Sequence, residues 1–516
     1  TTACGATALP ASSSRAAVRH DDPLARWDAT PKAPLAWSDF SDATFRRAKA
    51  EKRFVVMDGS AEWCHWCHVM EAVTYHDEKV RALLDARFIA AKVDIDARPD
   101  IEERYAEYGW PATVIFSPDG RELGKYRGFI APDQFVEILS AVAGSAEGGT
   151  AETSGAETKD EAAGTAPSDV AIPDSPMPEE ELAWIERATE LGLEDYWDEE
   201  QGSWGHGQKV PLFMTNAWAL SRAAAGDARA KTRVLFTLDQ QRNLVDPVWG
   251  GIYQYSTDGD LKHPHFEKLL YFNAGAIANY AEAYQETRDK KWFEVASAIK
   301  RYVDRFLSGA DGAFYVTQDA DLNAHSVGKR FVTGHEYYAK GEAERLALGV
   351  PRVDAHEYAR ENGLGIIAYC KYYEASGDAS ALERAKRAAD LVLATHATAS
   401  GALSHDARPK DPSAHADSLV HLSDNAAFAC GLLELARVSH DAARVAQAAK
   451  IVDAIFAELE DARGGGFFAS SKDPDAVGVF AVRRKPFEDN VTMLRVLTRL
   501  ARAMPERTAS CKRGID

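Results

Sequence analysis

At 516 residues the chain is too long for one ordinary core, so two or more domains are expected. Its apolar share of 46% is that of a globular protein, and it has no run of about 18 apolar residues from which to build a membrane-spanning helix. A net charge of −19 leaves no basic surplus for phosphates, which argues against a nucleic-acid partner.

Residues 1–21 are small, polar and Pro/Ser-containing, and read as a flexible tail. Around Cys4 the text loosely matches the box at which bacterial lipoproteins are acylated, with Thr2 where Leu is usual. The expectation is a periplasmic or otherwise exported protein, with Cys4 as the candidate lipid anchor; the alternative is a plain tail on a cytoplasmic one. Residues 22–143 then alternate elements. A helix at 42–51 precedes the buried strand "RFVVMDGS" (53–60), a helix from Cys64 to Asp85 and the strand "RFIAAKVDID" (87–96). A short helix at 101–108, a strand–turn–strand over "ATVIFSPDGREL" (112–123) and a helix at 132–142 complete a small α/β layer fold.

Residues 144–177 contain no aromatic side chain and are rich in Gly, Ala, Glu, Thr and Pro, which predicts a flexible linker. Residues 178–508 read almost entirely as helices: near 179–196, 214–225, 229–243, 266–287, 290–308, 334–347, 355–376, 379–397, 418–438, 441–460 and 487–504. Between them recur Gly-plus-aromatic loops such as "GGIYQY" (250–255), "GAFYVT" (312–317) and "GGGFFAS" (464–470), with "GSWGHG" (202–207) and "GALSHD" (401–406) as variants. A repeated helix–helix–Gly-loop unit marks a helical array. With one helix unread, six hairpins would form an all-α (α/α)6 toroid whose loops line a central pit. Residues 509–516 read as a tail.

The stretch "EWCHWCHVM" (62–70) holds the only two of the six cysteines spaced for joint chemistry; Cys370 and Cys430 lie in apolar helical text, as small buried hydrophobes do. It fits three templates: a c-type haem box, a zinc site completed by His65, His68 or His76, and a thioredoxin-like dithiol. Haem needs an axial partner and an apolar pocket that so small an element does not offer. Zinc lacks a second ligand pair at the right spacing. For a dithiol, Cys64 begins a helix after a strand, where the free N–H groups and His65 favour a thiolate. Cys67, one turn on, is expected to be the more buried, resolving thiol. His65 is expected to stabilise the reduced form and make the pair a stronger oxidant than a reductase-type centre. Asp58 would point under the helix toward Cys67 and accept its proton, or else cap a turn with Gly59.

"VVMDGSAEWCHWC" resembles the active-site strand and helix start of thioredoxins, and "GWPATVIFSPDG" (109–120) resembles the segment carrying that fold's cis-proline. The resemblance implies that Pro111 shapes a substrate groove beside the dithiol, flanked by Trp63, Trp66 and Trp110. Trp110 stands where thioredoxins have a smaller side chain, so substrate acceptance would be narrower. The redox-active pair Cys64–Cys67 would need no further cofactor and no metal, and its partners would be protein thiols or disulfides.

In the helical region three stretches concentrate functional residue types. "YSTDGDLKHPHFEKLLYFNA" (255–274) carries His263, His265, Glu267, Lys268 and Asn273. "FYVTQDADLN" (314–323) supplies Asp319 and Asp321, and "HLSDNAAFACGLLEL" (421–435) supplies His421, Asp424 and Asn425. A His with carboxylates among aromatics could build a sugar site; caps, turns and surface pairs explain the same residues individually. Taken in order, "WCHWCHVM", "KVDIDARPD", "GWP", "HPHFEK", "FYVTQDAD" and "GGGFF" resemble the spermatogenesis-associated protein family. Membership implies a thioredoxin-like domain fused to a six-hairpin glycosidase-like toroid, similarity to N-acylglucosamine epimerases, and a redox role without one settled reaction. This chain departs from the family around "GSWGHGQKVP" (202–211) and "PFEDNVTM" (486–493), and in a shorter segment after "DAD". The expected activity is thiol–disulfide exchange, with the toroid binding or positioning a partner. A carbohydrate-active enzyme using His265, Glu267 and Asp319, and a non-catalytic glycan- or peptide-binding scaffold, are the alternatives.

Overall fold

The computed structural model describes residues 35–148, 177–324, 326, 328–407 and 419–514. The N-terminal tail with Cys4 and most of the expected linker lie outside them.

Strand β1 (Ser38–Asp39) leads into α1 (Asp42–Glu51), which ends where Lys52 turns left-handed at φ 53°. Strands β2 (Phe54–Ser60) and β3 (Phe88–Asp94) are largely buried runs, as strands covered on both faces should be. The helix expected from Cys64 to Asp85 is in fact two, α2 (His65–Val73) and α3 (Glu78–Arg87). Asp77 divides them: its carboxylate accepts from the N–H groups of Lys79 and Val80 and caps a new helix. After α4 (Pro99–Tyr105) come the hairpin β4 (Ala112–Phe116) and β5 (Glu122–Arg127), then α5 (Pro132–Gly148), which runs past the expected border at 143. The sheet order is β1-β3-β2-β4-β5, with β4 and β5 antiparallel to their neighbours. This is a thioredoxin-like layer fold, with Asp58 of β2 opposite Lys92 on one side and Thr113 on the other.

The second domain runs through α6 (Glu179–Tyr196), α7 (Phe213–Ala224), α8 (Ala228–Gln241), α9 (Leu270–Thr287) and α10 (Lys290–Phe306). The short α11 (Gly334–Tyr338) and α12 (Glu342–Leu348), one helix by expectation, are separated at Gly341. Then follow α13 (Ala359–Ser376), α14 (Ala379–Thr395), α15 (Leu422–Ser439), α16 (Ala442–Glu458), α17 (Phe487–Ala503) and α18 (Thr508–Arg513). The last stands where a tail was expected and buries Cys511. Helices α7, α9, α13, α15 and α17 pack in an inner row, with α8, α10, α14 and α16 outside. That is the layout of an (α/α)6 toroid. Small strands β6 (Tyr255–Ser256), β7 (Pro264–His265), β8 (Lys268–Leu269), β9 (Thr317–Gln318) and β10 (Val353–Asp354) lie between the helices.

An asparagine at the fourth position of the inner helices fixes the Gly loop before each. Asn273 accepts from Ile252 N–H at 2.9 Å. Asn362 binds N–H and C=O of Phe314 at 2.9 and 3.2 Å, and Asn425 those of Leu403 at 2.8 and 3.1 Å. Asn490 does the same for Phe467 at 2.8 and 2.9 Å. Buried loop backbone needs such partners, so the clamp explains how a loop enters the core. Asn273 and Asn425, candidate functional residues by sequence, are therefore structural. The pattern fails at α7, where Asn216 bonds Gln241 and its own buried Oδ1 lacks a partner.

The two domains are docked. Phe480 of the second enters the core of the first, with ring centroids 5.4 Å from Phe40, 5.7 Å from Phe116 and 6.5 Å from Tyr105. Beside it the turn at Gly120 touches Gly478; a Cβ on Gly120 would lie 3.0 Å from the Gly478 Cα, so backbones meet there directly.

Candidate functional site

Strand β2 delivers the chain to Cys64, which N-caps α2; its Sγ accepts from Cys67 N–H at 3.1 Å. Cys64 and Cys67 form a disulfide with Cα atoms 5.2 Å apart. Both are covered, at 3% and 6% exposure, so Cys67 is not the more buried of the two as expected. What covers this end of α2 is the second domain.

The antiparallel pairing of Lys268 with Gln318 sets Glu267 beside Asp319 at the edge of a three-stranded patch. From there Glu267 accepts from the backbone N–H of His65 at 3.3 Å. His65 Nδ1 pairs with Asp321 Oδ2 at 2.8 Å, and His68 Nδ1 pairs with the same oxygen at 3.0 Å. His68 Nε2 also meets the Glu62 carbonyl at 3.0 Å. The other Asp321 oxygen accepts from Gly334 N–H at 2.8 Å. Burial by itself would lower His68, but the charge of Asp319 and the hydrogen bond to Asp321 raise it to about 9, so the ring is an imidazolium. Burial raises Asp319 to about 7, while His65 and His68 overcome the same effect and hold Asp321 well below the carboxylate range. The expectation that His65 serves the Cys64 thiolate is corrected: its ring is directed at Asp321.

His265 donates to both Glu267 oxygens, at 3.0 and 3.1 Å, and stacks on Tyr255 at 4.5 Å and Trp66 at 6.4 Å. Thus Cys64, Cys67, His65, Trp66, His265, Glu267, Asp319 and Asp321 converge in one cluster. On the sheet, buried Asp58 is raised to about 6 by desolvation, with Tyr75 OH donating at 3.3 Å and the Lys92 ammonium as an ion-pair partner 3.9 Å away. It lies within the strand and caps no turn. The Trp110–Pro111 bond is cis, and Trp110 packs so closely on Gly59 that a Cβ there would meet its ring at 3.1 Å.

Trp63 does not face a groove. It is buried, and its indole N–H donates to Asp96 at 2.6 Å. Asp424 lies in a second contact between the domains, where His405 Nδ1 bonds both its oxygens at 3.0 Å and His405 Nε2 donates to the Asp96 carbonyl at 2.7 Å. Burial opposes the charge of Asp424, but His405 holds it down at about 2. His405 was missed by sequence reasoning; its only signal was its place in the loop "GALSHD". Lys268 is not part of the site: it joins Arg345 on buried Asp246, each at 2.7 Å, among Tyr253, Tyr302 and Tyr338. His263 is exposed and pairs with Asp258 and Asp260.

Among the described residues, His68, Asp319 and Asp321 are the one group whose ligand atoms lie within 4.8 Å of one another, a spacing suited to a metal ion. Their opposite charges already pair within the group. The haem and zinc templates are not assembled, since the two sulfurs are joined to each other and both His68 ring nitrogens are engaged.

Residues 27–143 match the family model Thioredox_DsbH, described as "Protein of unknown function, DUF255". The human protein "Spermatogenesis-associated protein 20" is 28% identical over 311 residues, covering 56% of this chain and 39% of that one. The chain thus spans about two fifths of the length of the curated relatives it first matches. "Thiol:disulfide interchange protein DsbD" of Ralstonia nicotianae is 34% identical over 110 residues, 20% of this chain and 18% of that one. "Thioredoxin" of Mycoplasmoides gallisepticum is 34% identical over 85 residues, 16% of this chain and 80% of that one. Among solved structures, a cellobiose 2-epimerase from Bacillus thermoamylovorans is 12% identical at a TM-score of 0.49, covering 65% of this chain and 86% of that one.

Fold and site together define a thioredoxin-family domain docked on an (α/α)6 toroid. The chain belongs, through its first domain, to the thioredoxin family, and over 56% of its length it is a homologue of spermatogenesis-associated protein 20.

Proposed function

We propose that the protein is a thiol–disulfide oxidoreductase acting through Cys64 and Cys67. The observation that carries this reading is a disulfide across the first turn of α2, whose helix N-terminus donates to the Cys64 sulfur. In the exchange, a thiolate of a substrate dithiol attacks the Cys64 sulfur and forms a mixed disulfide, and Cys67 leaves as a thiolate that takes up a proton. The second substrate thiolate then attacks its partner sulfur, so the substrate departs as a disulfide and Cys64 as the thiolate. Two electrons have passed to the protein; the reverse sequence reduces a substrate disulfide. In this reading Asp58, which burial raises to about 6, accepts or returns that proton near neutral pH. No cofactor beyond the dithiol takes part, and an oxidising, exported setting suits the reaction.

With Cys64 only 3% exposed, the residue is out of reach of a folded partner, so exchange with a protein requires the contact between α2 and the toroid to open. The toroid then acts as the element that covers and releases the dithiol. Sugar chemistry by His265, Glu267 and Asp319 would require the first domain to leave altogether, because these side chains are committed to holding α2. The test is catalysis of insulin disulfide reduction by dithiothreitol, followed by turbidity. The parent protein should be active and Cys64→Ser inactive; an inactive parent, or an active Cys64→Ser, refutes the reading.

A further inference from the structure

Helix N-termini leave backbone N–H groups without partners, and in α2 two acceptors take them. The Cys64 sulfur takes Cys67 N–H, and Glu267 from the other domain takes His65 N–H. Sulfur and carboxylate therefore share one positive helix end, on N–H groups two residues apart, Cys67 N–H also reaching the Cys64 carbonyl at 3.1 Å. Glu267 is buried, and although burial opposes its charge, His265 and His65 hold the carboxyl below its ordinary range, so it is an anion. Besides these two rings, Asp319 and Tyr255 face it, while Asp321 neutralises His65 and His68 behind them. Asp321 thus takes up charge from His65, while Glu267 is paired with His265 at 3.0 Å and sits against the first turn of α2 through His65 N–H.

We propose that Glu267 is a positioning residue for the dithiol: the toroid grips the first turn of α2 with a carboxylate whose charge opposes the Cys64 thiolate and favours the disulfide. This rests on the exchange reading and predicts a less oxidising pair than the sequence alone leads one to expect. Stabilising a thiolate stabilises the dithiol, and a buried like charge beside it does the reverse.

The experiment uses the full chain with Glu267→Gln, which keeps an acceptor for His65 N–H, and Glu267→Asp, which keeps the charge. Thiolate absorbance of the reduced proteins is followed against pH. Every protein compared carries Cys4→Ser, and the buried thiols Cys370, Cys430 and Cys511 are pushed up and titrate later. Glu267→Gln should lower the first thiol titration by about one unit or more, with Glu267→Asp close to the parent. Glutathione equilibrium should move toward the dithiol in the Gln variant by about tenfold per unit. An unchanged titration in Glu267→Gln, or equal shifts in both variants, overturns the proposal. Failure of the exchange reading would show separately, as a parent protein without insulin reduction.

Discussion

Asp321→Asn removes the charge that ties α2 to the toroid while keeping the shape of the side chain. In the intact protein one oxygen of Asp321 binds His65 at 2.8 Å and His68 at 3.0 Å. Against its burial, His68 is raised from 6.5 to about 9 by Asp319 and Asp321. A histidine raised on folding contributes stability that is fully present below its unfolded value and is lost as pH climbs through its folded value. The shift from 6.5 to about 9 corresponds to about 3 kcal/mol. Asp321→Asn should therefore cost up to about 3 kcal/mol near pH 6, a gap that shrinks steadily toward about pH 9. Parallel urea unfolding of both proteins at a series of pH values, read by tryptophan fluorescence, measures it. The His405–Asp424 pair titrates in the same direction but is present in both proteins, so it cancels in the difference. A gap that stays constant with pH would refute the ion-pair account of the docking.

The loop clamp makes a second prediction. Asn425→Ala strands the N–H and C=O of Leu403 and should cost about 2–3 kcal/mol in the same unfolding assay, against less than half of that for Asn216→Ala, whose Oδ1 has no partner. Asp58 is raised from 3.8 to about 6, so its ionisation weakens the fold as pH rises through about 6. Asp58→Asn should then stabilise the protein at pH 7.5 by up to about 3 kcal/mol while slowing insulin reduction by about a hundredfold.

Local features of the site were legible in the sequence because they are short-range. The strand ahead of Cys64, the helix it begins and the Trp110–Pro111 segment are all set by adjacent residues, and so are the Gly loops of the toroid. The break between α2 and α3 was missed because apolar periodicity continues across Asp77, and only the cap at that residue interrupts it. The asparagine clamp was readable as Asn three residues into each helix, at 273, 362, 425 and 490, but its partners lie up to 48 residues away. The convergence of Glu267, Asp319 and Asp321 on the dithiol joins residues more than 200 positions apart, and no periodicity encodes it. Each was visible as a functional residue type, and its partner was not. Read alone they suggested a sugar site; in the fold they hold a histidine-bearing helix.

The most direct measurement is a redox titration of the whole protein in glutathione buffers, with trapped thiols counted by mass. With Cys4→Ser in place, Cys64 and Cys67 should gain and lose their label together in one two-electron transition, while Cys370, Cys430 and Cys511 stay reduced throughout. Independent titration of the two, or thiols at 64 and 67 that never oxidise, would contradict the reading of this cluster as a redox centre.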